Sequence, residues 1–291
     1  MNSNPLAEVF GFPIDNQTKE AERYRKNKLC PFNNKVPSCT KDKANDPLGV
    51  CSIFEEGQTI ITCPIRFREA WLIAEDAAQF FFKPDASWTS ITEVRLTDKD
   101  GNTAGNIDLV LVCYDERGRV IDFGSLEIQA VYISGNIRRP FERYMSTRRR
   151  SVDFAWRGPN FPKADFLSSS RKRLAPQMMY KGGILKAWGK KQAVALQTSF
   201  FLTLPKLKET PPEQADIAWM LYDLELDKKT NKFKLTQNKI VYTEFEPALR
   251  QITTTEPGKI NDFIEVLQQK LDEKLEGNPP DAPTLTDITL S

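Results

Sequence analysis

Apolar and polar residues alternate through the middle of the chain and predict a series of β-strands. The alternation is clearest in ITEVRLT, NIDLVLVCY and VIDFGSLEIQAVYIS, because one face of a half-buried strand is apolar and the other polar. Asp100-Gly101 and Arg117-Gly118 separate these runs and predict hairpin turns. Three later segments, QAVALQTSFFLTL, IAWMLYDLEL and KIVYTEFE, predict further strands.

Two segments have the spacing of amphipathic helices. The segment FREAWLIAEDAAQFFF precedes the strands and predicts a helix that leads into the core. A second apolar face lies near the end of the chain and predicts another helix. Its residues are Ile260, Phe263, Ile264, Leu267, Leu271 and Leu275.

The remaining segments set the expected domain organisation. Residues 1–68 are rich in Asn, Pro and Lys and look irregular, whereas residues 277–291 read as a loose tail. The pattern therefore predicts one α/β domain over residues 69–276, with an N-terminal appendage.

Composition supports a folded protein without a membrane span. At 291 residues and 40% hydrophobic content, the chain can bury a sizeable core. The N-terminus lacks a signal pattern, and no stretch approaches the roughly 18 to 20 apolar residues that a span needs. We expect a cytoplasmic protein.

The sequence contains no histidine. Its absence excludes Ser-His-Asp and Cys-His catalysis, HExxH metalloproteases, His-ligated zinc fingers and nucleases with a histidine base. Any hydrolysis must therefore use carboxylates, metals or lysine.

The net charge is only +2, but residues 138–191 hold fifteen Lys and Arg against three acidic residues. Aromatic residues are interleaved with the first half of this basic segment. Such a segment is typical of a surface that binds a polyanion such as nucleic acid. The alternative is a solvated basic helix with core aromatics.

Three polar residues stand out within the predicted strands. Asp108 lies in NIDLVLV, and Glu127 and Gln129 share one face of LEIQ after eighteen intervening residues. A hairpin would bring the two carboxylates together, as Mg²⁺ sites in phosphodiester hydrolysis require. Alternatively, Glu127 is structural and pairs with a nearby arginine.

Four of the five cysteines form a cluster in the N-terminal segment. Cys30, Cys39, Cys51 and Cys63 have the spacing C-x8-C-x11-C-x11-C, which suits a tetrathiolate site for zinc or iron that substitutes for a core. Disulfides and unrelated buried thiols are the alternatives. Cys113 lies on the face opposite Asp108 and reads as a core thiol.

Several motifs together resemble the NotI-type restriction endonucleases of the PD-(D/E)XK nuclease superfamily. They are CPFNNKVPSCTKDKANDPLGVCS, CPIRFREAW, NIDLVLV and LEIQAVYISGNIRRPFERY. The resemblance covers residues 10 to 250. It implies a mixed sheet flanked by helices, with an N-terminal four-cysteine metal-binding module over residues 1–68 and a nuclease core over residues 69–276.

The resemblance also implies an activity. It is that of a prokaryotic, homodimeric Type II enzyme that uses Mg²⁺ to cut a GC-rich palindrome in double-stranded DNA. Asp108, Glu127 and Gln129 take the catalytic positions, and the four cysteines hold one structural iron. Glutamine stands where lysine is commonest in the superfamily, as it does in the family resembled, and Asn106-Ile107 where proline often precedes the aspartate.

Three further expectations concern the surroundings of this site. Gln129 orients the attacking water, since an amide does not titrate near neutral pH. Glu69 or Glu75 is a candidate extra metal ligand through water. For DNA binding we expect contacts from Arg138, Arg139 and Arg143 in the basic segment.

Two other functions fit the same sequence. One is a DNA-binding protein that does not cleave, in which the carboxylates are structural. The other is a repair nuclease that makes single-strand breaks. Cleavage assays with and without Mg²⁺ distinguish the DNA-binding protein from the restriction endonuclease. The type of break, single-strand or double-strand, distinguishes the repair nuclease from it.

Overall fold

The computed structural model describes residues 4–33, 36–43, 45–146 and 160–276. The chain divides into two compact units, Met1–Thr253 and Thr254–Ser291. The second unit contains the expected amphipathic helix, with its apolar side chains exposed. The expected tail, residues 277–291, lies outside the described residues. The domain boundaries drawn from the sequence stay a prediction.

Twelve strands are found in the described residues. Those of the first unit's N-terminal part are β1 (Leu6–Val9), β2 (Phe12–Pro13), β3 (Val50–Glu55) and β4 (Gln58–Ile61). Those of the central part are β5 (Trp88–Thr97), β6 (Thr103–Tyr114), β7 (Val120–Gln129), β8 (Tyr132–Ser134) and β9 (Lys163–Asp165). The last are β10 (Gln192–Gln197), β11 (Ile217–Asp227) and β12 (Lys232–Thr243).

The helices are short apart from the last. They are α1 (Lys19–Lys26), α2 (Leu72–Phe81), α3 (Arg138–Ser146), α4 (Phe166–Ser169), α5 (Ala175–Gln177), α6 (Gly183–Ala187), α7 (Thr198–Phe201), α8 (Phe245–Thr253) and α9 (Ile260–Glu276). A 3₁₀ segment, Pro64–Trp71, precedes α2. Two π-helical turns, Ser170–Leu174 and Met178–Gly182, join α4, α5 and α6 into one helical segment, residues 166–187, here called the cleft helix.

A large mixed sheet organises the first unit. Its strand order is β12-β11-β10-β7-β6-β5. The central strand β10 runs parallel to both β7 and β11, and the other pairs are antiparallel. All six residues of β10 are buried, as expected of a strand covered on both faces. The predicted mixed sheet flanked by helices is confirmed.

The two predicted hairpin turns are confirmed. Gly101 and Gly118 adopt φ values of +80° and +74°, which glycine reaches at little cost. Asp115 supports the second turn, because its carboxylate accepts the backbone N–H groups of Arg117 and Arg119 at 3.0 and 2.9 Å. This turn aligns β6 with β7 and so sets the register of the candidate site.

Helices cover both faces of the large sheet. On one face, the buried residues Ile73, Ala74 and Ala77 of α2 pack in one cluster with sheet residues such as Leu109 and Met220. On the other face the cleft helix buries apolar side chains in a second cluster with the central strand. Residues of that second cluster include Leu174, Met178, Val194 and Leu196.

The expectation of an irregular N-terminus was wrong. Strands β1 to β4 form a second sheet in the order β2-β1-β3-β4. Leu6, Val9, Val50 and Ile53 are fully buried and share a core cluster with Trp219 of the large sheet. These strands are at most six residues long, too short to show a clear alternation in the sequence.

Several element boundaries differ from those expected, and the strand predicted over KIVYTEFE, for example, ends at Thr243 before α8. The helix predicted over FREAWLIAEDAAQFFF begins only at Leu72, after a kink where Ala70 and Trp71 have positive φ. The strand expected to run to Ser134 ends at Gln129 and resumes as β8. The strand expected over QAVALQTSFFLTL ends at Gln197, where α7 follows.

Among the residues that the structure describes, no helix is long and apolar enough to cross a bilayer.

Candidate active site

The two candidate carboxylates lie on adjacent antiparallel strands. Leu109 on β6 pairs with Leu126 on β7, so the next residues, Asp108 and Glu127, stand opposite one another. The Asp108 carboxylate accepts the backbone N–H of Ile128 at 2.9 Å. This bond continues the strand pairing through a side chain and fixes the Asp108 carboxylate beside β7.

Glu127 is a buried carboxyl group whose charge is opposed by its surroundings. Its side chain is almost fully buried, with a relative exposure of 1%. Burial, and after it the nearby Asp108 carboxylate, raise its pKa to about 7 against the lowering effect of Lys181. Two carboxylates that repel each other in a buried position form an arrangement that a divalent cation stabilises.

Lys181 is the functional candidate that the sequence analysis missed. Its ammonium group donates to both carboxylate oxygens of Glu127 at 2.8 Å and to the backbone oxygen of Asn106 at 2.7 Å. The side chain is only 3% exposed. The sequence shows Lys181 merely as one of many cations in the basic segment.

The cleft helix brings three polar residues towards the carboxylates. Arg173, Gln177 and Lys181 recur at intervals of four, and the two π-helical turns overlap the two ends of this stretch. Such turns are frequent at functional sites. This four-residue spacing of polar side chains is the sequence signal that could have indicated Gln177 and Lys181.

Gln129 lies on the same strand face as Glu127 and is 4% exposed. Its side-chain Nε2 donates to the Oε1 atom of Gln177. The chain leaves the sheet directly after Gln129, where β7 ends. The amide is therefore held at the strand end by the cleft helix, two residues from Glu127.

A cleft of about 1080 Å³ opens at this strand end. Asp108 and Gln129 lie at its wall, and Gln177 and Arg173 of the cleft helix face it. Lys41 and Arg138 contribute from the N-terminal segment and α3. Cationic side chains therefore surround a carboxylate, as a site for a phosphate backbone requires.

The three arginines chosen for DNA binding differ in their surroundings. Arg138 donates to the carboxylates of Asp42 at 2.5 Å and Asp46 at 2.6 Å, which tie α3 to the N-terminal segment. Arg139 and Arg143 are exposed on α3. DNA contact by these residues stays a prediction, and a phosphate at Arg138 would compete with two carboxylates.

Part of the basic segment lies outside the described residues. The positions concerned are Arg148, Arg149, Arg150 and Arg157, with the interleaved Phe154 and Trp156.

The candidate extra ligands Glu69 and Glu75 are not seen at the site. The Glu69 carboxylate accepts from Arg66 at 2.8 Å and from the backbone N–H of Leu235 at 2.6 Å. Glu75 is exposed on α2. A role for either residue in metal binding stays a prediction.

Four cysteine side chains line one small cavity in the N-terminal segment. The cavity, of about 10 Å³, is bordered by Cys30, Cys39, Cys51 and Cys63. It has about the room that one water molecule occupies. Backbone bonds bring them together: Cys30 N–H donates to Pro37 and Cys39 N–H to Lys28. All five cysteines, including the buried Cys113, are free thiols.

Burial keeps three of these thiols protonated. It raises the pKa of Cys30 to about 11 and raises those of Cys39 and Cys51 as well, with further repulsion from neighbouring cysteines. Within the described part of the chain, no three Cys, Asp or Glu side chains stand in a ready-made metal-binding arrangement.

The arrangement of the site is typical of a phosphodiesterase: paired carboxylates on neighbouring strands, beside a cleft with cationic walls. The family model of restriction endonuclease NotI matches residues 8–235, most of the chain. The protein belongs to this family, whose members are site-specific deoxyribonucleases that bind DNA. No curated protein that was compared with the chain matches it significantly.

The raised pKa of Glu127 predicts how stability varies with pH in metal-free protein. Between about pH 4.5 and 7 the folded state keeps a proton on Glu127 that the unfolded chain has released. The folded state then binds more protons, so stability falls as the pH rises, by on the order of 3 kcal/mol in total.

This prediction is tested by Asp108→Asn, measured by thermal unfolding near pH 8 without metal. Removal of the Asp108 charge lowers the pKa of Glu127, so the variant should melt at a higher temperature than the wild type. Asp85→Asn, at an exposed position on a turn, is the control and should leave the melting temperature unchanged. An equal or lower melting temperature for Asp108→Asn would contradict the prediction.

Proposed function

We propose that this restriction endonuclease hydrolyses phosphodiester bonds in double-stranded DNA with Mg²⁺, using Asp108 and Glu127 as metal ligands. The observation that carries the proposal is the pairing of the buried Glu127 carboxylate with Asp108, which lines the cleft. We infer a fold of the PD-(D/E)XK type from the mixed sheet with carboxylates on the central hairpin. The substrate site we infer is a GC-rich palindrome, as in the family resembled.

The residues present fit a magnesium ion. Mg²⁺ takes oxygen ligands, is commonly held by one or two carboxylates and completes its shell with water and substrate phosphate. Both carboxylates lie within hydrogen-bonding reach of each other, and each oxygen has further lone pairs besides those used by Lys181 and Ile128. When bound, Mg²⁺ supplies an activated water and neutralises charge that develops on the phosphate.

The protein's own residues position the reacting groups. Asp108, held by Ile128 N–H, presents a charged oxygen to the cleft. Gln129 has no titratable group, so it orients a water molecule or a phosphate oxygen by hydrogen bonding rather than by removing a proton. Gln177 holds the Gln129 amide in place.

A direct test is cleavage of duplex DNA by the purified protein in Mg²⁺, in Ca²⁺ and in a chelator. We expect double-strand breaks in Mg²⁺ and binding without cleavage in Ca²⁺. Cleavage that continues at the same rate in the chelator would refute the metal dependence. Predominantly single-strand breaks would instead indicate a nicking enzyme.

Gln129→Ala should reduce the cleavage rate by on the order of 10²-fold, the range of one positioned catalytic group. Metal and DNA binding should remain, because neither carboxylate is altered. Single-turnover rates measure the loss, and Gln58→Ala, at an exposed position on β4, is the control. A wild-type rate for Gln129→Ala would remove its proposed role.

We also propose that Cys30, Cys39, Cys51 and Cys63 hold one structural iron, with zinc as the alternative. Their convergence on one small cavity supports the proposal. Metal binding would deprotonate the buried thiols, and the charge of the cation would offset both the burial of the thiolates and the repulsion between them. Iron or zinc here would connect the loop that carries Cys30 and Cys39 to the residues at Cys51 and Cys63.

Elemental analysis of purified protein should show about one iron or zinc per chain. Cys39→Ser and Cys51→Ser should lower the metal content and the soluble yield, whereas Cys113→Ser, in the large sheet, should keep the metal. Active wild-type protein without iron or zinc would exclude the site.

We further propose that the enzyme works as a homodimer in a prokaryotic cytoplasm. A palindromic site is matched by two-fold symmetry, in which each copy meets one half-site. Sedimentation of the protein with a duplex that contains its cleavage site should give two chains per duplex. One chain per duplex would contradict the homodimer.

A further inference from the structure

Lys181 is a buried cation whose hydrogen bonds are all used within the site. An ammonium group has three N–H donors, and Lys181 directs them at the two Glu127 oxygens and at the Asn106 carbonyl, all between 2.7 and 2.8 Å. The side chain is 3% exposed, and Glu127 is 1% exposed. Neither partner can turn to water to replace these bonds.

The position of Lys181 divides the surroundings of Glu127 into two sides. On the side of the cleft helix the ammonium spans both carboxylate oxygens, as a bound cation would. Asp108, which stands opposite Glu127 on the adjacent strand, lines the cleft, whereas Lys181 does not. The side of Asp108 is therefore the one from which a divalent cation and a phosphate can approach.

A second divalent cation on Glu127 would have to displace this ammonium. Displacement would leave a buried lysine without its carboxylate, and breaking a buried ion pair on one side is strongly unfavourable. If the lysine stayed, a divalent ion beside it would meet a like charge at short range in a poorly screened environment. Both routes oppose a second metal ion.

We propose that Lys181 takes the place of a second metal ion, so that each active site binds one divalent cation, between Asp108 and Glu127. The inference rests on the proposed function, since it assumes that these carboxylates are metal ligands. Lys181 acts here as a positioning residue that fixes Glu127 and sets the metal count. Its ammonium group also gives the site a positive charge, which the neutral side chain of Gln129 does not supply.

The test counts bound Mn²⁺ per chain by electron paramagnetic resonance, with the full-length protein purified with its cysteine metal in place. Wild type should bind one ion. Lys181→Ala removes the ammonium and leaves space, and should bind two. Lys186→Ala is the matched control, because Lys186 lies on the same helical segment but pairs with Asp216 at 2.8 Å; it should bind one.

Asp108→Asn in the same experiment separates the two proposals. Loss of the ion in Asp108→Asn supports the metal site, whereas retention of the ion places it elsewhere and overturns the proposed function. Two ions in wild type, or one ion at wild-type affinity in folded Lys181→Ala, would overturn the role of Lys181 alone.

If Lys181→Ala does not unfold cooperatively, and is therefore not folded, Lys181→Met replaces it in this experiment. Methionine fills the same space without charge, so the count should remain one while the affinity for Mn²⁺ rises by about tenfold or more, because the repelling charge is removed. Unchanged or weaker affinity in Lys181→Met would overturn the inference.

Discussion

Glu127→Gln is expected to abolish DNA cleavage, with a loss of about 10³-fold or more. The stabilisation that a bound metal gives to developing charge is worth several kcal/mol, and each 1.36 kcal/mol changes a rate about tenfold. Glutamine keeps the shape of the side chain and can still accept from Lys181, so the fold should survive. What it loses is the negative charge that attracts the cation.

DNA binding should persist in Glu127→Gln, and should tighten in the absence of metal, because a carboxylate beside a phosphate is repulsive. Single-turnover cleavage in Mg²⁺ and duplex binding in Ca²⁺ measure the two effects separately. Glu225→Gln replaces an exposed glutamate on another strand of the same sheet and should behave as wild type. Cleavage by Glu127→Gln at the rate of Glu225→Gln would exclude Glu127 from catalysis.

Arg66→Ala is expected to destabilise the protein by about 3 to 5 kcal/mol, the range for breaking a buried ion pair on one side. The Arg66 guanidinium is fully buried and donates to Glu8 at 3.1 Å, to Glu69 at 2.8 Å and to the Phe233 carbonyl at 2.9 Å. It therefore joins β1, the 3₁₀ segment and β12. The substitution leaves the buried Glu8 carboxylate without its cation, while the Ser52 hydroxyl still donates to it at 2.8 Å.

Denaturant unfolding of Arg66→Ala measures this loss. Arg95→Ala, at an exposed position on β5, is the control, since surface changes of this kind usually alter stability by about 0.5 kcal/mol or less. The double variant Glu8→Gln with Arg66→Met should recover part of the loss, because it removes both charges. A loss below about 1 kcal/mol in Arg66→Ala would show that the ion pair does not stabilise the fold.

The candidate carboxylates could be predicted because their geometry is local. Asp108 and Glu127 lie on the two strands of one hairpin, and the hairpin's turn residues fix which positions stand opposite each other. Strand alternation then places Gln129 on the face of Glu127. The strands, their turns and the proximity of the two carboxylates followed from these short-range rules.

Lys181 could not be predicted in the same way. It lies 54 residues from Glu127, and the two meet only because the cleft helix packs on the sheet. Charge counting in the sequence grouped Lys181 with the other cations of the basic segment, whereas its burial depends on the tertiary structure. Arg138 shows the reverse case, since a residue assigned to DNA is paired with carboxylates of the N-terminal segment.

The N-terminal sheet was missed for a different reason. Its strands are two to six residues long and most of them mix apolar with polar residues, so they show too little periodicity to be recognised as strands. The burial of Arg66 and Glu8 has no signal in the sequence, because charged residues are rarely fully buried unless they are paired. Pairing across 58 residues leaves no local pattern.

Asp108→Asn gives the most direct test of the claim that the hairpin carboxylates form the catalytic centre. The measurement is the single-turnover cleavage rate on duplex DNA in Mg²⁺, beside Asp85→Asn and with thermal unfolding as a check that the protein is folded. We predict a folded Asp108→Asn protein that binds DNA in Ca²⁺ and yields no cleavage product, while Asp85→Asn cleaves as wild type does. Cleavage by Asp108→Asn at the wild-type rate would contradict the account.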